Sequence, residues 1–164
     1  MKPVPKPMDN KELTDESTIV YALRNLYADN FAVYYKSHTY HFNVEGPTFL
    51  QDHMLLEEIY TFLQESHDTL GELIRQMHKE APPSLKVILD LTNITEAKTA
   101  KVPSKAMFND LNNDFTAVHE SGQWLFHAFD EAGYGGLNTA IGDYLKELSK
   151  LHWKIQATLG VSFK

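Results

Sequence analysis

The 164-residue chain contains no cysteine. That absence removes disulfide scaffolds, thiolate zinc sites, iron–sulfur clusters and cysteine nucleophiles from consideration. Long apolar runs are also missing, and no stretch approaches the roughly 18 residues of a membrane span. The opening residues, Lys2-Pro3-Val4-Pro5-Lys6-Pro7, lack the apolar segment of a secretory signal. A cytoplasmic protein is the expectation. Positive charge is scarce: 15 Lys and Arg stand against 22 Asp and Glu, for a net −7. That balance disfavours a broad surface for nucleic acid, because phosphate contacts need clustered Lys and Arg. What the chain does contain is 43% apolar residues and eight histidines. The first is enough for the core of one domain. The second, in an acidic background without thiols, suits a handler of cations such as iron, zinc or manganese.

Residues 1–13 show no apolar periodicity and read as a flexible N-terminal arm. Residues 14–164 read as one helical domain. Thr14-Asp15-Glu16-Ser17 supplies capping residues and early acids. Helical spacing then continues over 17–44 through Leu23, Tyr27, Phe31, Tyr34, His38 and His41. Gly46-Pro47-Thr48 breaks that helix and starts a second, which runs to about His78 and is ended by Pro82-Pro83. Its apolar stripe is Phe49, Leu56, Tyr60, Leu63, Leu70, Ile74 and Met77. A short helix is predicted over 84–93, a third long helix over 104–131, a break over Gly133–Gly136, and a fourth long helix over 137–159 capped by Gly160. This leaves no room for a sheet. The segment 81–103 is long enough to run from one end of a bundle to the other. The fold class is therefore all-α: a ferritin-like four-helix bundle with a short extra helix in the long crossover between helices two and three.

On the second helix, His53, Glu57, Asp68 and Glu72 lie at about 0°, 40°, 60° and 100° around the axis. A solvated face is the ordinary meaning of charge at this spacing. Such a face mixes Lys with Glu, however, and between His53 and Glu72 the helix holds neither Lys nor Arg. His53 and Asp68 are separated by roughly 22 Å along the axis, whereas metal ligands sit about 2 Å from their ion. The residues thus form two half-sites, His53 with Glu57 and Asp68 with Glu72. Two copies of the helix laid antiparallel, with a dyad near residues 62–63, bring one half-site onto the other across a two-fold interface. His41, at the end of the first helix, is the natural fifth ligand. The rival arrangement, a di-iron centre inside one bundle, is built from Glu-x-x-His pairs. No Glu in this chain has His three residues later.

The run Lys36-Ser37-His38-Thr39-Tyr40-His41-Phe42-Asn43-Val44-Glu45-Gly46-Pro47-Thr48-Phe49 closely resembles the signature of the Dps family, the mini-ferritins named as DNA-binding proteins from starved cells. His53, the acid four residues on, and Asp68-Thr69-Leu70-Gly71-Glu72 continue the match. Leu151-His152-Trp153-Lys154-Ile155-Gln156-Ala157-Thr158-Leu159 looks like that family's last helix. The resemblance covers residues 17–160 and implies a hollow homo-dodecamer with ferroxidase centres shared across its dimer interfaces. Such centres oxidise ferrous iron, usually with hydrogen peroxide in preference to dioxygen, and the ferric product is stored as mineral inside. This protects against oxidative stress. By position, His41, His53 and Glu57 of one subunit would face Asp68 and Glu72 of the other. The family usually has Asp where this chain has Glu57, and Trp where it has Phe42. The acids often found at the start of the family's fourth helix are absent from Gly136-Leu137-Asn138-Thr139. The nearest are Asp130, Glu131 and Asp143.

The remaining residues carry blander readings. His38 either orients a ligand or packs on Tyr34. His67 falls on the apolar side of its helix. His119, His127 and His152 read as structural or surface residues, and Trp124 and Trp153 as packing residues. The alternative function is DNA binding through Lys2, Lys6 and Lys11 of the arm, opposed by the acidity of the body.

Overall fold

In the computed structural model, the described residues are 14–161. They form five helices: α1 (Glu16–Asn43), α2 (Phe49–Gln76), α3 (Leu85–Leu91), α4 (Ser104–Glu131) and α5 (Gly135–Leu159). The arm residues Lys2, Lys6 and Lys11 lie outside the described residues.

Local chemistry explains the boundaries. The Asp15 carboxylate accepts from the Thr18 backbone N–H at 2.9 Å and from the Ser17 and Thr18 hydroxyls, capping α1. These bonds hold its carboxyl below the usual carboxylate range. Three helices end in the same device. Beyond α2, α4 and α5, the N–H groups of Lys79, Tyr134 and Val161 reach back to the carbonyls of Ile74, Phe129 and Gln156. This is the Schellman pattern, in which the turning residue adopts a left-handed conformation. Gly133 (φ 76°) and Gly160 (φ 70°) fill it at two ends, and His78 (φ 58°) fills it at α2. The second helix therefore stops two residues before its predicted end, at a hydrogen-bonded cap, upstream of Pro82-Pro83. The predicted Gly133–Gly136 break is also shorter. Only Gly133 needs the positive φ, and Gly135 and Gly136 already belong to α5.

The hydrogen bonds between elements define the topology. Asn30 Nδ2 donates to the Leu63 carbonyl at 2.7 Å, and His41 meets His53, so α1 and α2 run antiparallel. Asn138 donates to Phe126 O and His152 meets Asn112, so α4 and α5 also run antiparallel. The Ser104 hydroxyl at the start of α4 donates to buried Asp52 in the first turn of α2, which also takes the Thr48 hydroxyl at 2.6 Å. α4 thus begins at the same end as α2, and the intervening chain must return along the length of the bundle. Asp29 straps that crossover to α1, accepting from the Thr92 hydroxyl at 2.7 Å and the Asn93 N–H at 2.6 Å. Burial raises the Asp29 carboxyl despite these bonds.

Leu23, Leu56, Ile59, Leu63, Phe108, Phe115, Phe129 and Ile155 are among the side chains that fill the core. One ion cluster borders it, with Lys36 and Asp114 buried and Asp110 partly exposed. Lys36 of α1, 3% exposed, lies 2.7 Å from Asp114 and 3.1 Å from Asp110, both on α4. The Tyr40 hydroxyl donates to the same Asp110 oxygen at 2.7 Å. Desolvation outweighs the attraction of Lys36 and pushes the Asp114 carboxyl up to about 6. Removing one partner of such a pair strands the other charge. Lys36→Ala is expected to lower the unfolding free energy by about 3–5 kcal/mol in chemical denaturation. Glu58→Gln, which breaks the solvent-facing pair with Lys154, should cost at most about 1 kcal/mol.

Candidate metal centre

α1 ends two residues after His41, and α2 begins four residues before His53. The short connection between them contains Gly46 at φ 121°, a backbone state open to glycine. The antiparallel return places the two histidines opposite each other. Their imidazoles stack with centroids 3.7 Å apart and planes 20° from parallel. Each ring is held by the other residue's backbone. His41 Nδ1 lies 3.0 Å from the His53 carbonyl oxygen, and His53 Nδ1 lies 2.9 Å from the His41 carbonyl oxygen. A carbonyl only accepts, so each Nδ1 carries the proton and donates it. Each Nε2 is left with its lone pair. The His41 carbonyl is in the last turn of α1, where carbonyls lack helical partners, and the His53 ring satisfies it. This backbone lock on the far nitrogen is the usual way a ligating imidazole is oriented.

Aromatic side chains surround the pair. Tyr60 meets His41 edge-on at 5.0 Å and stacks on His38 at 4.1 Å, and Phe49 lies 5.0 Å from His53. His38 also lies 4.5 Å from the Phe42 ring and 5.8 Å from Tyr34. Tyr60 and Phe49 were assigned to the core stripe by their spacing. Tyr60 is in fact half-buried against the histidines and Phe49 is 44% exposed. Phe49 and Tyr60 are the residues that periodicity alone did not assign to the pair. Tyr60 follows His53 by two helical turns, and that spacing could have placed it there. Around this cluster, Phe42, Leu50 and Met54 are each at least 60% exposed, an apolar rim on an otherwise polar surface.

The carboxylates are placed differently. Glu57, Asp68 and Glu72 are all exposed on α2. The structure brings His41 and His53 together, leaves Glu57 exposed on the following turn, and keeps Asp68 and Glu72 farther along the helix. Among the described residues, no three His, Asp or Glu side chains converge as a metal site within one chain. His67 turns instead toward α1, stacked on Tyr27 at 3.9 Å, and its burial lowers its pKa.

The ferritin-like domain family matches residues 20–161. A DNA protection during starvation protein from Brevibacillus brevis is 33% identical over 147 residues, covering 89% of this chain and 98% of that protein. Antigen TpF1 of Treponema pallidum is 31% identical over 143 residues, covering 87% of this chain and 81% of that one. Its crystal structure superposes with a TM-score of 0.85 at 29% identity, covering 96% of this chain and 99% of that chain. A Dps protein from Vibrio cholerae O1, described as a member of a broad superfamily of ferritin-like diiron-carboxylate proteins, superposes with a TM-score of 0.83 at 27% identity, covering 93% of both chains. The chain belongs to the Dps family, within the ferritin-like fold. Against the usual Dps pattern, Phe42 puts a 71% exposed phenyl ring, not an indole, next to His41. Glu57 sets an exposed carboxylate one methylene farther from α2. The backbone lock on the two imidazoles is open to direct measurement in the Dps-type chain. In metal-free protein above the histidine titration, 15N spectra are expected to show both His41 and His53 protonated on Nδ1. Nε2-protonated rings would contradict the geometry.

Proposed function

We propose that the protein is a ferroxidase and iron-storage protein whose centres are completed between two subunits. The reading is carried chiefly by the locked His41–His53 pair, which presents two lone pairs on a chain whose candidate carboxylates stand elsewhere. His41, His53 and Glu57 of one subunit would meet Asp68 and Glu72 of a two-fold partner. The apolar rim of Phe42, Leu50 and Met54 supports a partner covering this surface, since exposed apolar patches mark interaction sites. A nitrogen lone pair lies in the plane of its ring. Two planes stacked at 3.7 Å and 20° from parallel do not meet within the about 2 Å reach of a metal ligand. The pair therefore suits two adjacent ferrous ions, one on each ring. Each ion gives up one electron, and peroxide takes both as its O–O bond breaks. Two protons then complete two waters. Substrate iron held in an open shell of imidazole and carboxylate leaves room for the oxidant.

Assembly as a hollow homo-dodecamer, storage of the ferric product inside, protection against oxidative stress and a cytoplasmic location belong to the same proposal. Among the described residues, no helix is long and apolar enough to cross a membrane. Ferrous iron and peroxide mixed anaerobically should yield ferric absorbance. His41→Ala combined with His53→Ala should slow that oxidation at least about tenfold, as loss of metal-holding groups does. An unchanged rate, or a monomer in size-exclusion chromatography, would overturn the shared-centre reading.

A second reading, DNA protection, draws on the names of relatives such as the Brevibacillus brevis protein. It would rest on Lys2, Lys6 and Lys11 of the arm, against a chain charge of −7. Gel shifts are expected to show weak binding at low salt that disappears near physiological salt and on deletion of residues 2–11.

A further inference from the structure

The seam between α4 and α5 holds a second pair of histidines, far in sequence from each other and from the site above. A cavity of about 350 Å³ opens there, lined by His119 and Glu120 of α4 and by Ser149, His152, Trp153 and Gln156 of α5. Trp153, assigned to packing by its place on a long helix, is 51% exposed at this opening.

Both imidazoles have a neighbour on one nitrogen. His152 Nε2 lies 3.0 Å from Asn112 Oδ1, an acceptor, and 3.3 Å from Gln156 Nε2. The shorter contact assigns the proton to Nε2, so Nδ1 keeps its lone pair. His119 Nε2 lies 3.1 Å from the Ser149 hydroxyl, which can accept that ring's proton in the same way. Burial, and then the charge of nearby His119, lower the His152 pKa, which favours the unprotonated form that a ligand needs. No Lys or Arg lines the cavity, and Glu120 is its one formally charged side chain. A pair of imidazoles with a carboxylate at its edge and no Lys or Arg beside it suits a cation, not an anion. Imidazole-rich sites favour borderline divalent transition ions over calcium or magnesium.

We propose that His119 and His152 form a divalent transition-metal site on the α4–α5 seam, with exposed Glu120 swinging in as a third ligand. Three ligands are not gathered in the metal-free chain, so the site closes around its ion and exchanges it readily. It is independent of the His41–His53 centre and uses none of its residues.

Cu²⁺ is a suitable probe, added to full-length protein in its native assembly. The background variant His41→Ala with His53→Ala silences the other pair. Titration followed by electron paramagnetic resonance is expected to show one copper per subunit with coupling to two nitrogens. Adding His119→Ala and His152→Ala should abolish that signal. Glu120→Gln, an exposed substitution that leaves the bundle intact, should keep both nitrogens and weaken binding by about tenfold. The proposal is overturned if the silenced protein binds no copper. It is equally overturned if the signal survives loss of His119 and His152 in protein whose circular dichroism and assembly size are unchanged.

Discussion

The antiparallel pairing of α1 with α2 is the constraint on which the rest depends. α1 contacts α2, the crossover helix α3 and α4, so its register against α2 sets where those elements pack. The pairing is held at intervals along its length by Asn30 on Leu63 O, Tyr27 on His67, His38 on Tyr60, and the reciprocal bonds between His41 and His53. The histidine pair is therefore the end of a structural seam and, in the proposed function, the start of the metal-binding surface. Its rings are oriented by backbone carbonyls that any residue at positions 41 and 53 would supply, while the imidazoles themselves are supplied by the sequence.

The contact between α1 and α4 carries a different kind of charge. In a ferritin-like bundle with an internal metal site, the inner faces of the helices carry carboxylates and histidines. Here Lys36 of α1 lies against Asp110 and Asp114 of α4, with Tyr40 donating to the Asp110 oxygen that Lys36 meets. The Lys36 ammonium balances these carboxylates and holds α1 against α4. The residues suited to metal chemistry are displaced to the outer surface of α2 and to helix seams. At the start of α2 the residues around His53 include exposed apolar side chains, which in the proposed function a second subunit would cover.

Most of the helices were legible from periodicity, because each long segment keeps one apolar face at helical spacing. The bounds of α4 were read to the residue, and those of α1 to within one residue at each end. The misses have local causes. His78 takes a left-handed turn that composition assigns to glycine, so α2 ends before its proline pair. Two of the glycines in the Gly133–Gly136 run are simply helical. Phe49 and Tyr60 share the apolar spacing of core residues but lie at the end of the α1–α2 seam, where the bundle opens. Trp153 has the same apolar character, yet it lines an opening between α4 and α5.

The sequence by itself determined the element order, the need for a long crossover, the absence of thiol chemistry and the ligand-type face of α2. These follow from composition and spacing within single segments. It also separated His53 from Asp68, because helical rise is fixed. Only the tertiary structure decided how the imidazoles are used. Their tautomers depend on which carbonyls lie within hydrogen-bond reach, and their partners depend on which helices face each other. That is why His41 and His53, near in sequence, emerged from both levels, whereas His119 and His152 became a pair only when α4 and α5 were laid side by side.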